Sequence, residues 1–355
     1  MTSVRILIVQ TAFLGDLVLT LPLIATVRQW APKSWVEVLT IPANASVLQG
    51  QPSVNAVLTY DKRGRQRGLR GLVKMGYAIR VRAYDVVISP HRSLRSALLV
   101  AASGSKLRVG FRQWWTRWAY TASASRPSHE HEVVRNHELM KLLDAKMPVP
   151  GRLAMQVEVS KRREAAQVLA REGVETQDVV VGLVPGSQWG TKRWPAQQFA
   201  ALIEQITAWP RTHCVLFGTP QERGIADAVT AACQAPVIDL VGKTSLQELP
   251  ALMGYCDVVV SNDTGSMHIA AALGKPIVAL YGPTTPALGF SPYGVAWEEA
   301  SVTSLACRPC HAHGPERCPL SHWRCMRDLR PEQVAEQVAR LLQAARPEAA
   351  RGDDA

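Results

Sequence analysis

"DVVVSNDTGSMHIAAALGKPIVALYG", residues 257–282, decides how this chain is read. Asp257 to Val260 is an apolar run suited to a strand covered on both faces. Ile269 to Leu273 is small and helix-compatible, and residues 277–282 are apolar again. Strand, helix and strand in so short a span leave room for one crossover, so the two strands are expected to run parallel. Between the first strand and the helix stand Asp263, Thr264, Gly265, Ser266 and His268. One Asp or Thr is enough to cap a helix. Five polar or permissive residues at one entrance predict a binding site, with backbone N–H groups and the helix dipole aimed at an anion.

The same alternation extends in both directions. Strands are expected at 178–186, 213–218 and 237–242, and in the first half at 4–9, 35–40, 56–61 and 84–90. Leu17 to Trp30 reads as a helix with Pro22 near its first turn. The charged helix "SKRREAAQVLAREG" (160–173) separates the halves and places a boundary near residue 155. The fold class is therefore α/β, with two Rossmann-like, doubly wound parallel-sheet domains over 1–155 and 156–330. They are expected to face across a cleft, with ligands beyond the carboxyl ends of the strands. After Pro331, Val334, Val338, Leu341 and Leu342 share one helical face. That helix, 331–345, is expected to pack back on the N-terminal domain, and 346–355 to fray.

Three more loops follow strands in the pattern a ligand site requires. In "VPGSQWGTKRWP" (184–195), Ser187, Thr191 and Lys192 offer hydroxyls and a cation for a pyrophosphate, without the spacing of a Walker loop. In "FGTPQERG" (217–224), Glu222 stands where an acidic side chain accepts from ribose hydroxyls, or else caps the following helix. "DLVGKTSLQEL" (239–249) places Val241 beside a base. In the first half, "QTAFLGDLVLTLP" (10–22) sets Thr11, Gly15 and Asp16 at the exit of the first strand. No GxGxxG follows that strand, which argues against a dinucleotide fingerprint. Asp16 reads either as a general base or as an ordinary helix N-terminal acid.

The formal net charge of +11 asks for a negatively charged partner. Basic residues cluster in "KRGRQRGLRGLVKMGYAIRVR" (62–82), which reads equally as a solvated helix face, and in "RVGFRQWWTRWAY" (108–120), whose tryptophans suit either interfacial lipid or carbohydrate or the core. No nucleic-acid motif accompanies them, so nucleic acid is not the expected partner. No apolar run is long enough to span a bilayer or to serve as a signal peptide, so a cytoplasmic location is expected. Cys307, Cys310, Cys318 and Cys325, with His311, His313 and His322, have zinc-like density. The spacing of the second pair departs from a zinc ribbon, which leaves reduced, packed thiols as the alternative to a structural zinc.

In this order, "GDLVLTLP", "PGSQWGTKRWP", "GTPQERG", "LVGKTSLQEL", "SNDTGSMHIAAALGKPIVALYGPT" and the Cys-rich run resemble glycosyltransferase family 9, the lipopolysaccharide core heptosyltransferases, and most closely the heptosyltransferase II type. The resemblance implies a GT-B fold, with acceptor in the N-terminal domain and ADP-heptose in the C-terminal one. It implies Asp16 as catalytic base and Lys192 on the donor phosphates. Ser187, Thr191, Glu222, Val241, Asp263, Thr264, Gly265, Ser266 and His268 complete the donor site. Thr11, Gly15, Arg63, Arg65 and Arg117 are the expected acceptor contacts. It further implies inverting chemistry without a cofactor, on a phosphorylated lipid A–core acceptor at the cytoplasmic face of the inner membrane. Gln10 departs from a Lys that some members carry there. A GT-B transferase using another nucleotide sugar is the alternative within the fold. A nucleic-acid-binding protein and a non-catalytic nucleotide binder are the alternatives outside it.

Overall fold

The structure is a computed structural model that describes residues 4–345. The chain divides into two compact units after Gln156. In the first, a sheet of six parallel strands is ordered β3-β2-β1-β4-β5-β6, comprising β1 (Arg5–Val9), β2 (Trp35–Thr40), β3 (Ala56–Thr59), β4 (Val86–Ser89), β5 (Leu107–Phe111) and β6 (Ala122–Ala124). Its helices are α1 (Leu14–Val18), α2 (Leu21–Trp30), α3 (Gly68–Arg80), α4 (Leu94–Ala102) and α5 (Glu132–His137). Ile6, Leu7, Ile8 and Val9 have no exposed surface, the outcome expected of a central strand covered on both faces. The helix expected over Leu17–Trp30 starts earlier and is broken at Leu19–Thr20, with Pro22 in the first turn of its second segment.

The second unit repeats the plan. Its sheet is ordered β12-β11-β10-β7-β8-β9, with β7 (Val179–Val184), β8 (Thr212–Leu216), β9 (Ile238–Asp239), β10 (Val258–Asn262), β11 (Ile277–Tyr281) and β12 (Trp297–Ser301). Around it lie α6 (Val159–Arg171), α7 (Ala196–Thr207), α8 (Arg223–Ala232), α9 (Leu249–Met253), α10 (Gly265–Ala272), α11 (Arg324–Arg327) and α12 (Pro331–Ala345). All described pairings in both sheets are parallel. Every strand in a sheet therefore ends at the same edge, and the loops that follow the strands gather there.

Helix α12, expected to pack back on the N-terminal domain, buries its apolar face within its own unit. Val334, Ala335, Val338 and Leu341 lie in the core of the second unit with Trp194, Phe199 and Met326. Gln337 Nε2 donates to Glu299 O at 2.8 Å, and Arg340 pairs with Glu298 on the edge strand β12. The apolar stripe was read correctly, but β10 to β12 and α7 offer the matching surface within the helix's own unit. The last ten residues lie outside the described part of the chain.

Candidate active site

At the carboxyl edge of the second sheet, β7 and β10 are neighbours, so their following loops meet. Lys192 comes from the short 3₁₀ turn Gly190–Lys192 after β7, and Asp263 follows β10. Lys192 Nζ donates to Asp263 Oδ2 at 2.6 Å, and Thr284 Oγ1 donates to the same oxygen at 2.8 Å. Both ends of the ion pair are nearly buried, at 8% and 9% exposure. The loop is held by its backbone. Asn262 Nδ2 donates to Pro185 O and Asn262 Oδ1 accepts from Trp194 N, while Arg193 Nε donates to Ser187 O and Trp323 Nε1 donates to Thr191 O. Thr191 Oγ1 is engaged with Pro315 O.

Simple capping fails to explain this entrance. Thr264 is the N-cap of α10 and makes no side-chain cap hydrogen bond. The Asp263 carboxylate is turned to Lys192 and Thr284. Met267 N donates to Thr264 O at 3.2 Å, but neither side chain of the Asp-Thr pair caps the helix, so the Gly265 and Ser266 N–H groups remain available to an anionic ligand. Ser266 is half-buried at the entrance. His268 is buried beneath it, at 3% exposure.

Glu222 does cap. Its Oε2 accepts from Thr219 N at 2.7 Å and from Thr219 Oγ1 at 2.9 Å. The rest of the carboxylate lies over Gly186, where a Cβ would overlap it, and beside Gly218. A side chain at 186 would push the Glu222 carboxylate from this place, and one carboxylate oxygen stays outside the capping pattern. Val241 is buried next to Gly218, with its carbonyl accepting from Arg223 Nη1 at 3.0 Å.

In the first unit, Asp16 is the third residue of α1 and accepts from Phe13 N at 3.2 Å. A carboxylate at a helix N-terminus is ordinarily stabilised, with a lowered pKa. Here the reverse holds. Burial and then the Glu132 charge push Asp16 up to about 6, against the Phe13 N–H and Arg126. Glu132 is itself buried and paired with Arg126 and Arg135. Around Asp16 the sheet order brings in loops after β3 and β4. Lys62 Nζ donates to Thr11 O at 2.5 Å, and Arg95 Nη1 donates to Lys62 O at 3.0 Å. Burial, then Arg63 and Arg95, hold the Lys62 amine below its usual range. His91 Nδ1 lies 2.9 Å from Ser96 Oγ and 3.1 Å from Thr11 Oγ1. Burial and the charges of Lys62 and Arg92 lower its pKa to about 4. It is neutral at physiological pH, with Nδ1 within hydrogen-bonding distance of these hydroxyls.

Of the residues expected at the acceptor, Thr11, Gly15 and Asp16 share the α1 entrance, and Arg63 reaches the Phe13 ring at 5.9 Å. Arg65 is exposed in the loop after β3. Arg117 is exposed after β5, two strands away from β1. Lys62, His91, Arg126, Glu132 and Thr284 have no local signature and were not read from the sequence. All seven cysteines are free thiols. Cys307 Sγ lies 4.0 Å from His322 Nε2, but among the described residues no three His, Cys, Asp or Glu side chains are placed to hold a metal.

The sequence model of glycosyltransferase family 9 (heptosyltransferase) matches residues 72–323. The chain belongs to that family. This family 9 glycosyltransferase is 28% identical to the lipooligosaccharide heptosyltransferase 2 of Haemophilus ducreyi over 299 residues, 79% of this chain and 84% of the relative. Among solved structures it resembles a family 9 glycosyl transferase from Veillonella parvula, with a TM-score of 0.85 and 24% identity over 97% and 99% of the two chains. It also resembles the ADP-heptose lipopolysaccharide heptosyltransferase II of Escherichia coli, with a TM-score of 0.75 and 23% identity over 96% and 99%. These likenesses show the fold of the glycosyltransferase, the two Rossmann-like units of the GT-B class.

Proposed function

We propose that this glycosyltransferase moves a heptose from ADP-heptose to the inner core of a lipopolysaccharide, on a Kdo–lipid A or heptosyl-Kdo–lipid A acceptor. The first unit takes the acceptor and the second the nucleotide sugar. The relatives named above support the donor and the product class. The observation that carries the reading is the α10 entrance, where Lys192 stands beside N–H groups that neither Asp263 nor Thr264 caps. A diphosphate fits that set by charge and by hydrogen bonding.

The chemistry is a single displacement with inversion. Asp16 takes the proton of the acceptor hydroxyl, whose oxygen forms the new bond to the anomeric carbon. The bond from that carbon to the β-phosphate oxygen breaks, and its electron pair leaves with ADP. Lys192 and the α10 N-terminus stabilise the growing diphosphate charge, which makes the transfer independent of a divalent metal. Asp263 and Thr284 hold Lys192 in place. The uncapped oxygen of Glu222 accepts from a ribose hydroxyl. Lys62, Arg63 and Arg92 attract the anionic acceptor, which is met at the cytoplasmic face of the inner membrane. Among the described residues no helix is long and apolar enough to cross a membrane.

Calorimetric titration with ADP, UDP and GDP in the presence of a chelator tests the donor site, followed by turnover of ADP-heptose. Preferential ADP binding without metal is expected. Preference for UDP or GDP would remove the heptosyl assignment and leave the fold. Failure of all three to bind would remove the roles given to Lys192 and the 263–268 entrance.

A further inference from the structure

Helix α3 carries two apolar faces where a crossover helix ordinarily has one. Its inner face, with Met75 and Ile79, is buried in the core shared with α4. The outer face repeats Leu69, Val73 and Tyr77 at one-turn intervals, and these are 74%, 62% and 70% exposed. Nothing in the core accounts for that outer stripe. Arg70 and Lys74 lie beside it, both exposed, and the helix contains no acidic residue.

The surroundings extend the pattern. Helix α4 packs against α3, and the turn Arg117–Ala119 packs against α4. The loop entering that turn displays Trp114 at 82% exposure, with Trp118 also exposed. Residues 62–129 hold fifteen Lys and Arg and a single acid, Asp85, so this stretch carries more positive charge than the whole chain's +11. Exposed leucine, valine and tyrosine in a row, flanked by cations and tryptophan, match a membrane interface. There apolar side chains enter the acyl boundary, and arginine and lysine reach lipid phosphates. A nucleic acid would use the charge and leave the apolar stripe wet.

We infer that this face of the first unit, the outer stripe of α3 with the Trp114–Trp118 turn, docks on an anionic lipid bilayer. Six residues before α3, Lys62 contacts Thr11 at the acceptor edge of the sheet, so docking sets that edge beside the lipid surface. The purpose of docking rests on the lipid-linked acceptor proposed above; the docking itself is tested without any acceptor.

The full chain is sedimented with phosphatidylcholine vesicles, with and without phosphatidylglycerol, over a salt series. Partitioning to the anionic vesicles that weakens with salt is expected. Leu69→Glu, Val73→Glu and Tyr77→Glu together should lower the partition coefficient by roughly tenfold per side chain. Arg70→Gln and Lys74→Gln should each lower it about fivefold. ADP affinity and melting temperature of the variants report that the fold is intact. Quenching of wild-type tryptophan fluorescence by bromolipid provides a reading free of substitutions. Absence of wild-type partitioning, or equal partitioning of the triple variant, overturns the inference. So does a concentration-dependent dimer that the triple variant loses, which would assign the face to a second copy of the chain. Turnover of a water-soluble, lipid-free acceptor separates the two claims. Vesicle binding without any heptosyl transfer would sink the proposed function alone, and transfer without vesicle binding would sink the docking alone.

Discussion

Asp16 allows the sharpest test, because its environment sets both a rate and a stability. Its pKa of about 6 stands about two units above the ordinary 3.8. At 1.36 kcal/mol per unit, the ionised carboxylate is disfavoured in the fold by on the order of 3 kcal/mol. An upper bound is meant, since Asp16 keeps some contact with solvent. With that pKa about a tenth of Asp16 is ionised at pH 5 and about nine-tenths at pH 7, whereas an unperturbed carboxyl would be more than nine-tenths ionised at both. If Asp16 is the base, kcat/KM measured with ADP-heptose and a soluble acceptor rises about tenfold from pH 5 to pH 7. Removing the Glu132 charge with Glu132→Gln lowers the Asp16 pKa, so the acid limb moves to lower pH. Removing the Arg126 charge with Arg126→Gln moves it higher. Opposite shifts from two partners of one ion pair are not expected of general destabilisation, which melting curves would register separately.

The stability side has its own sign. A carboxyl raised in the folded state costs nothing while protonated in both states, and the cost appears as pH rises from 3.8 through 6. Asp16→Asn removes it. At pH 7 that variant should lose turnover, keep ADP binding and melt at a higher temperature than the wild type. Near-normal rates in Asp16→Asn, or a limb that stays at pH 6 in both charge variants, would refute the assignment.

Other residues give shorter tests. Lys192→Ala should lower kcat by about 10²–10³, the usual loss of a group that stabilises transition-state charge, and weaken ADP in calorimetry. Asp263→Asn leaves Lys192 buried without its partner and should cost roughly 3–5 kcal/mol in denaturant unfolding. Gly186→Ala drives a methyl into the end of the Glu222 side chain, which can swing aside, so it should weaken nucleotide binding in calorimetry with little loss of stability. Leu341→Ala should cost about 2–5 kcal/mol, visible by hydrogen exchange in α7 and α12, because its side chain belongs to the core of the second unit.

The central strands were legible because a strand buried on both faces must be apolar throughout. β1, β7 and β10 are. β6, with Ala-Ser-Ala, and β12, with Trp-Glu-Glu-Ala-Ser, were not. Each is an edge strand, bonded on one side only and free to carry small or charged side chains. α12 was legible as an amphipathic helix but not in its destination, since an apolar stripe does not name the surface it covers. The donor loops were legible because each lies whole in one stretch of sequence. The surroundings of Asp16 were not, because Lys62, His91, Arg126 and Glu132 lie tens of residues from it in the chain and become its neighbours only through the order of the strands.

The two units treat their buried charges in opposite ways, and the difference matches the tasks proposed for them. Asp263 left unpaired at the α10 entrance would repel any phosphate approaching the helix. Lys192 at 2.6 Å neutralises it, and Thr284 occupies the same oxygen, so the pair presents a fixed cation without a net anion at the entrance. Such a group is suited to hold charge still while a leaving group acquires it. Asp16 is denied such a partner. Its closest charge balance, Glu132 with Arg126, leaves it near pH 6, where a proton is taken and released at little cost. A double-mutant cycle on Lys192 and Asp263 should therefore show coupling in stability and in ADP affinity, whereas Glu132→Gln should move the pH profile and leave ADP affinity unchanged.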